Sequence, residues 1–235
     1  MVRLTELSRQ IRAAPGPDRY SLATRLWSGR SVRNAVYTPV KEALCSMAPG
    51  RERCMYCGDN HGTDVDHFEP VARNPLRTFD WLNHLLACSN CNSHQKRDRF
   101  PCDADGRPLL IDPTAEDPAD HLFLSLSVGE YKALSDKGAR TIEVCDLNRA
   151  LLARGRMQAR RVVAMALRGW RDDRDAGDAA GMAEKVLTIR EQPFADVCQA
   201  MLRQATAPGA DVIFSDSPDL IALLCSEPLR EALLA

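Results

Sequence analysis

FDWLNHLLACSNCNSHQKR, residues 79–97, decides how this chain is read. Its first fourteen residues, 79–92, predict a short helix with Leu82, Leu85 and Leu86 buried. Its second half crowds two cysteines, three polar amides and a histidine into a few positions, which neither a plain core helix nor a solvated loop requires. Cys88 and Cys91 form one C-x-x-C knuckle; Cys54 and Cys57 form another. Each knuckle can place two thiolates about 2.3 Å from a tetrahedral Zn²⁺. Residues 58–87 lie between the pairs, more than a simple zinc finger holds, so a sizeable element is inserted in the clasp. The chain has nine cysteines, an odd number that excludes full pairing, and a reducing compartment would not favour a disulfide framework. Cys45, Cys102, Cys145, Cys198 and Cys225 stand alone and read as packing residues.

The inserted element begins with TDVDHFEP, residues 63–70, an alternating strand that ends at Asp66-His67 with Pro70 closing the turn. A carboxylate and an amide oxygen are hard ligands suited to Mg²⁺ or Mn²⁺, which keep several waters and take phosphate oxygens directly. A neutral imidazole, here His67, can accept a proton from water near pH 7. Neighbours on a regular strand face opposite ways, so Asp66 and His67 can share a site only where the strand bends or ends.

Taken in order, the C-x-x-C at 54–57, the D-H-x-x-P at 66–70 and the N-x-L-L-x-C-x-x-C-N at 83–92 resemble the HNH nucleases. That resemblance implies a ββα-metal core with a four-cysteine zinc clasp (Cys54, Cys57, Cys88, Cys91). It implies Asp66 and Asn92 as ligands of a catalytic Mg²⁺ or Mn²⁺, His67 as general base, and Asn83 as the residue that pins the intervening loop. Asn92 stands where many members have histidine. The expected activity is DNA phosphodiester hydrolysis leaving a 5′ phosphate and a 3′ hydroxyl. His94, Lys96 and Arg97 follow as candidate phosphate or metal contacts, although a charge run is usually a solvated face. His61 and His84 are read as non-catalytic, the second with no visible partner.

The remaining sequence sets the frame. Residues 1–101 carry 15 Lys plus Arg against 10 Asp plus Glu, and residues 102–235 carry 16 against 22, so a net charge of −1 hides a basic first half and an acidic second. Nucleic acid should meet the first half; the second suits folding or a protein partner. The expected class is α+β and mostly helical, in three parts: an N-terminal helical segment over 1–50 (2–13, 18–28 and 31–48, strained by Pro39), the nuclease core over 51–101, and a mixed, then helical, region over 102–235. A basic helix is expected at about 147–173, its apolar stripe facing a core and its arginines facing DNA, acidic neighbours or water. The longest apolar runs are too short to span a bilayer and no signal peptide is evident, so the expectation is a soluble cytoplasmic protein, not excluding an oligomer.

More loosely, residues 50–160 resemble the HNH subunit of Septu-type and retron-associated anti-phage systems, through LLIDPTAEDPADHL at 109–122 and LSDKGARTIEVCDLNR at 134–149. That resemblance implies an ABC-type ATPase partner and a role in antiviral defence. Alternatives are a stand-alone restriction or phage HNH nuclease, and a zinc-stabilised DNA-binding or scaffold protein without catalysis.

Overall fold

In the computed structural model, which describes residues 2–234, four apolar side chains spaced four apart organise the N-terminal helices: Val32, Val36, Val40 and Leu44 are all buried. A spacing of four exceeds the 3.6 residues of an α-helical turn, so a regular helix would rotate these residues off one face. The helical run over 30–47 absorbs the excess by winding its middle turn, Arg33–Tyr37, as a π-helix just before Pro39. Helix α1 (Val2–Ala13) adds Leu7 and Ile11, and α2 (Arg19–Ser28) adds Ala23, to the same core. Val65, Phe79 and Leu86 complete it, so the helical segment and the inserted element share one hydrophobic centre.

The chain is mostly helical with two small two-stranded sheets. Two compact units divide it. The first takes in residues up to 48, 52–121 and 133–146; the second takes in 49–51, 122–132 and 147 onward.

Within the first unit, β1 (Asp64–His67) pairs antiparallel with β2 (His84–Ala87), in the register Asp64↔Ala87 to His67↔His84. The helix expected over 79–92 is therefore absent. A single 3₁₀ turn, Trp81–Asn83, leads into the strand, and Leu82 is exposed while Leu85 and Leu86 are buried. All four residues of β2 are buried, and such a run carries no period from which strand could be told from helix. Cross-strand pairing settles the matter, because a buried backbone must find partners for its N–H and C=O groups. After the second knuckle the chain winds a π-helical turn, Asn90–Lys96, and ends it at Arg97 with φ 50°. A non-glycine residue held there costs on the order of 1–3 kcal/mol.

In the second unit, helix Ala150–Ala176 presents a buried stripe that includes Leu152, Val163, Leu167 and Trp170. Its arginines meet acidic neighbours: Arg160 pairs with Asp216 at 2.7 Å and Arg168 with Asp219 at 2.8 Å. Arg156 is itself buried, donates to the carbonyls of Gly129 and Leu147, and lies over the Tyr131 ring. Gly129, at φ 72°, is obligatory in this arrangement because a Cβ there would sit 2.0 Å from the Ala153 carbonyl oxygen. No described helix is long and apolar enough to cross a membrane.

Candidate active site

The two knuckles meet across the β1–β2 hairpin. Cys54, Cys57, Cys88 and Cys91 are buried with all four sulfurs within 4.8 Å of one another. A tetrahedron of Zn–S bonds near 2.3 Å has edges of about 3.8 Å, so the set fits one such ion. Four thiolates this close repel unless a cation sits among them. N–H groups support the sulfurs: the Cys91 backbone and the Asn60 amide both donate to Cys88 Sγ.

Asn83 holds the loop between the strands. It is fully buried; its Oδ1 accepts from the Glu69 backbone N–H at 2.8 Å, and its Nδ2 donates to the carbonyls of Glu69 and Arg77 at 3.0 and 3.1 Å. Both of its amide donors and its oxygen serve backbone, which fixes where loop 69–78 lies relative to β1.

That loop delivers the Thr78 carbonyl to His67. His67 Nε2 donates to it at 3.0 Å, and His84 Nε2 donates to the same oxygen, also at 3.0 Å. A carbonyl only accepts, so each ring carries its proton on Nε2 and its lone pair on Nδ1. Burial lowers the pKa of both rings, to about 3 for His67 and about 4 for His84. His67 is thus neutral at physiological pH, with Nδ1 in the form that accepts a proton.

Asp66 faces the other way, as strand alternation demands. Its Oδ2 accepts from the Tyr56 hydroxyl at 2.6 Å and pairs with Lys96 Nζ at 3.0 Å. Burial pushes the Asp66 carboxyl above the usual carboxylate range, against the pull of Lys96 and Tyr56. Burial and the neighbouring Asp66 keep the Tyr56 hydroxyl protonated, so it donates. Both partners come from knuckle segments: Tyr56 lies inside the first, and Lys96 ends the turn that starts at the second.

Asp66 and His67 nevertheless border one cleft, because strand pairing stops at His67. The cleft, of about 380 Å³, is also lined by Asn92, Arg97 and, from α2, Tyr20 and Trp27. Asn92 donates through Nδ2 to Asp64 Oδ2 at 3.3 Å, which orients its amide and leaves Oδ1 as the acceptor. Arg97 is exposed at the rim. His94 is exposed too, with Nδ1 against the Ser89 carbonyl at 3.2 Å, and does not line the cleft. His61 pairs with Glu52 at 2.9 Å, away from the cleft.

Residues 54–98 match the family model described as HNH endonuclease. This segment is an HNH endonuclease domain. No curated protein and no solved structure matches the chain. The HNH match ends one residue past Arg97, so it covers the clasp, both strands and the π-helical turn, while Tyr20 and Trp27 reach the cleft from outside it.

Lys96 requires a correction. As a candidate phosphate contact it should be exposed, yet its side chain is 0% exposed and its ammonium is consumed by Asp66 and by the His67 carbonyl at 2.7 Å. The π-helical turn is what rotates it inward. Lys96→Met should therefore cost about 3–5 kcal/mol of stability in urea unfolding, because it strands a buried carboxylate. Adding Asp66→Asn should recover part of the loss. A change within about 0.5 kcal/mol, as at an ordinary surface position, would contradict the burial.

Sequence reasoning missed four participants: Tyr56, Asp64, Trp27 and the shared role of His84. Asp64 and Tyr56 lie inside motifs already singled out, but nothing in their spacing shows which side chain they meet. Trp27 carries no local signal at all, since its contact with the site spans forty residues of chain.

Proposed function

We propose that the protein is a metal-dependent DNA endonuclease in which His67 is the general base and Asp66 and Asn92 hold a catalytic Mg²⁺ or Mn²⁺. The observation that carries this reading is the His67–Thr78 hydrogen bond at the edge of a cleft that also contains Asp66 and Asn92. It turns the lone pair to Nδ1, and the ring is kept neutral. Asp66 and the Asn92 Oδ1 are hard oxygen donors that suit such a cation. When bound, that cation would polarise the scissile phosphate and offset charge on the departing 3′ oxygen. His67 takes the proton of the attacking water at Nδ1. Asn83 keeps the Thr78 carbonyl, and with it the ring, in place. Arg97 at the rim attracts the phosphate backbone. Lys96 and Tyr56 act behind Asp66 by orienting its carboxylate. The four-cysteine clasp, which we assign to Zn²⁺, fixes both of those partners.

The test is cleavage of supercoiled plasmid by purified protein. Nicking that requires added Mg²⁺ or Mn²⁺ and yields 5′ phosphate ends is expected; DNA binding without cleavage under either metal would overturn the reading in favour of a binding protein. A place in an anti-phage assembly with an ABC-type ATPase is a finer proposal, supported by the sequence resemblance over 50–160. Its test is whether the product of a neighbouring ATPase gene changes that nicking.

A further inference from the structure

The geometry points to Trp27 and His84 as positioning residues that clamp the general base, so that the nuclease site is completed by a helix outside the HNH segment. This rests on the assignment of His67 as base. Trp27 projects from α2, and its ring meets three of the walls around Thr78. It stacks on His84 with centroids 5.3 Å apart and planes 15° from parallel, and it meets His67 edge-on at 4.6 Å and Phe79 at 5.7 Å. His84 in turn meets His67 edge-on at 5.1 Å. The three rings form a closed triangle, and two of its corners donate to one carbonyl oxygen. A single hydrogen bond from Nε2 leaves an imidazole free to swing about it; contact with two further rings removes that freedom and fixes the direction of Nδ1.

His84 is not explained by packing alone. Its Nδ1 is buried and has no hydrogen-bond partner among the described residues. An orphaned buried acceptor is destabilising, a cost that a leucine or phenylalanine in the same space would avoid. What the imidazole adds is its Nε2–H on Thr78, which holds the carbonyl that His67 uses. Trp27 then closes the triangle from the opposite side. Tyr37, at 5.6 Å from Trp27, backs the indole from the helical run.

The measurement is steady-state cleavage by the full chain carrying Trp27→Leu or Trp27→Phe, alongside long-range ¹H–¹⁵N spectra of the histidine rings. Loss of ring alignment should lower kcat of Trp27→Leu by about 10–100-fold with KM held within about twofold, since a misplaced catalytic group costs rate and not substrate binding. Trp27→Phe, which keeps an aromatic face, should recover to within about threefold of the parent. The His67 Nε2–H resonance, protected from exchange in the parent, should disappear in Trp27→Leu and persist in Trp27→Phe. Unchanged kcat in folded Trp27→Leu would overturn the clamp, as would a raised KM with kcat intact, which would make Trp27 a substrate contact. If the parent protein itself cuts nothing, the nuclease reading fails, and the ring spectra alone then decide whether Trp27 orders His67.

Discussion

His67→Ala is expected to lower plasmid cleavage by about 10²–10⁴-fold, the range that a positioned general base contributes, while the protein stays folded and DNA binding stays near that of the parent. The expectation follows from the ring's surroundings. One nitrogen is spent on the Thr78 carbonyl and the other is left at the cleft, an arrangement that serves proton transfer better than stability. The pH dependence has a definite sign. An ordinary histidine titrates near 6.5, whereas burial holds His67 down at about 3, so its basic form persists as the pH falls from 7 towards 5. The acid limb of kcat/KM should accordingly lie below the usual histidine range. An arriving phosphate, being anionic, raises the ring's pKa and moves the limb of kcat upward relative to that of kcat/KM. An inflection of kcat/KM at 6.5 would mean that the ring is not buried in the free protein, and retained cleavage in His67→Ala would remove it from the chemistry.

The legible part of this site was the part whose chemistry is written in adjacent residues. Paired C-x-x-C knuckles, an Asp-His step before a proline, and asparagines nine apart each tie a function to a spacing, and the structure gathers the four cysteines into one cluster and brings Asp66, His67 and Asn92 to one cleft. The illegible part was set by direction. Lys96 lies four residues beyond Asn92, and on sequence alone it looks like its neighbours Arg97 and Arg99; a π-helical turn in place of an α-helical one sends it into the core. His84 had no visible partner, because its partner is a backbone carbonyl six residues earlier on a loop folded back by Asn83. The strand at 84–87 reads as helix in the sequence because complete burial erases its alternation. The arginines of Ala150–Ala176 leave DNA, acidic neighbours and water open in the sequence; Arg160 and Arg168 take acidic neighbours, Asp216 and Asp219, which come from more than fifty residues away. Apart from His84, whose partner lies on a nearby loop, the deciding contact is long-range, while the residue types were sound guides to what was available.

Stripping the metal from the four-cysteine clasp should abolish cleavage even though none of the four cysteines lines the cleft. A structural Zn²⁺ in such a set contributes roughly 10–16 kcal/mol of apparent binding energy near neutral pH, as much as the whole stability of an ordinary domain. The loss would not stop at the knuckles. Tyr56 sits between Cys54 and Cys57, and Lys96 closes the turn that contains Cys91, so the two groups that hold Asp66 Oδ2 are both anchored by the same four sulfurs. Without the ion the thiols separate or protonate, the two segments lose their register, and Asp66 is left as a buried carboxyl with neither partner. A zinc-selective chelator, or Cys91→Ser, should therefore release about one zinc per chain by metal analysis and eliminate nicking in the presence of saturating Mg²⁺. Readdition of Zn²⁺ should restore nicking in the chelated parent and fail to do so in Cys91→Ser. Tyr56→Phe separates the two layers of this argument: it keeps all four cysteines and should retain the zinc, yet it removes one hydrogen bond from Asp66, so a partial loss of kcat at full zinc content is expected. Full activity in zinc-free protein would show that the hairpin and its helical core hold Asp66 unaided.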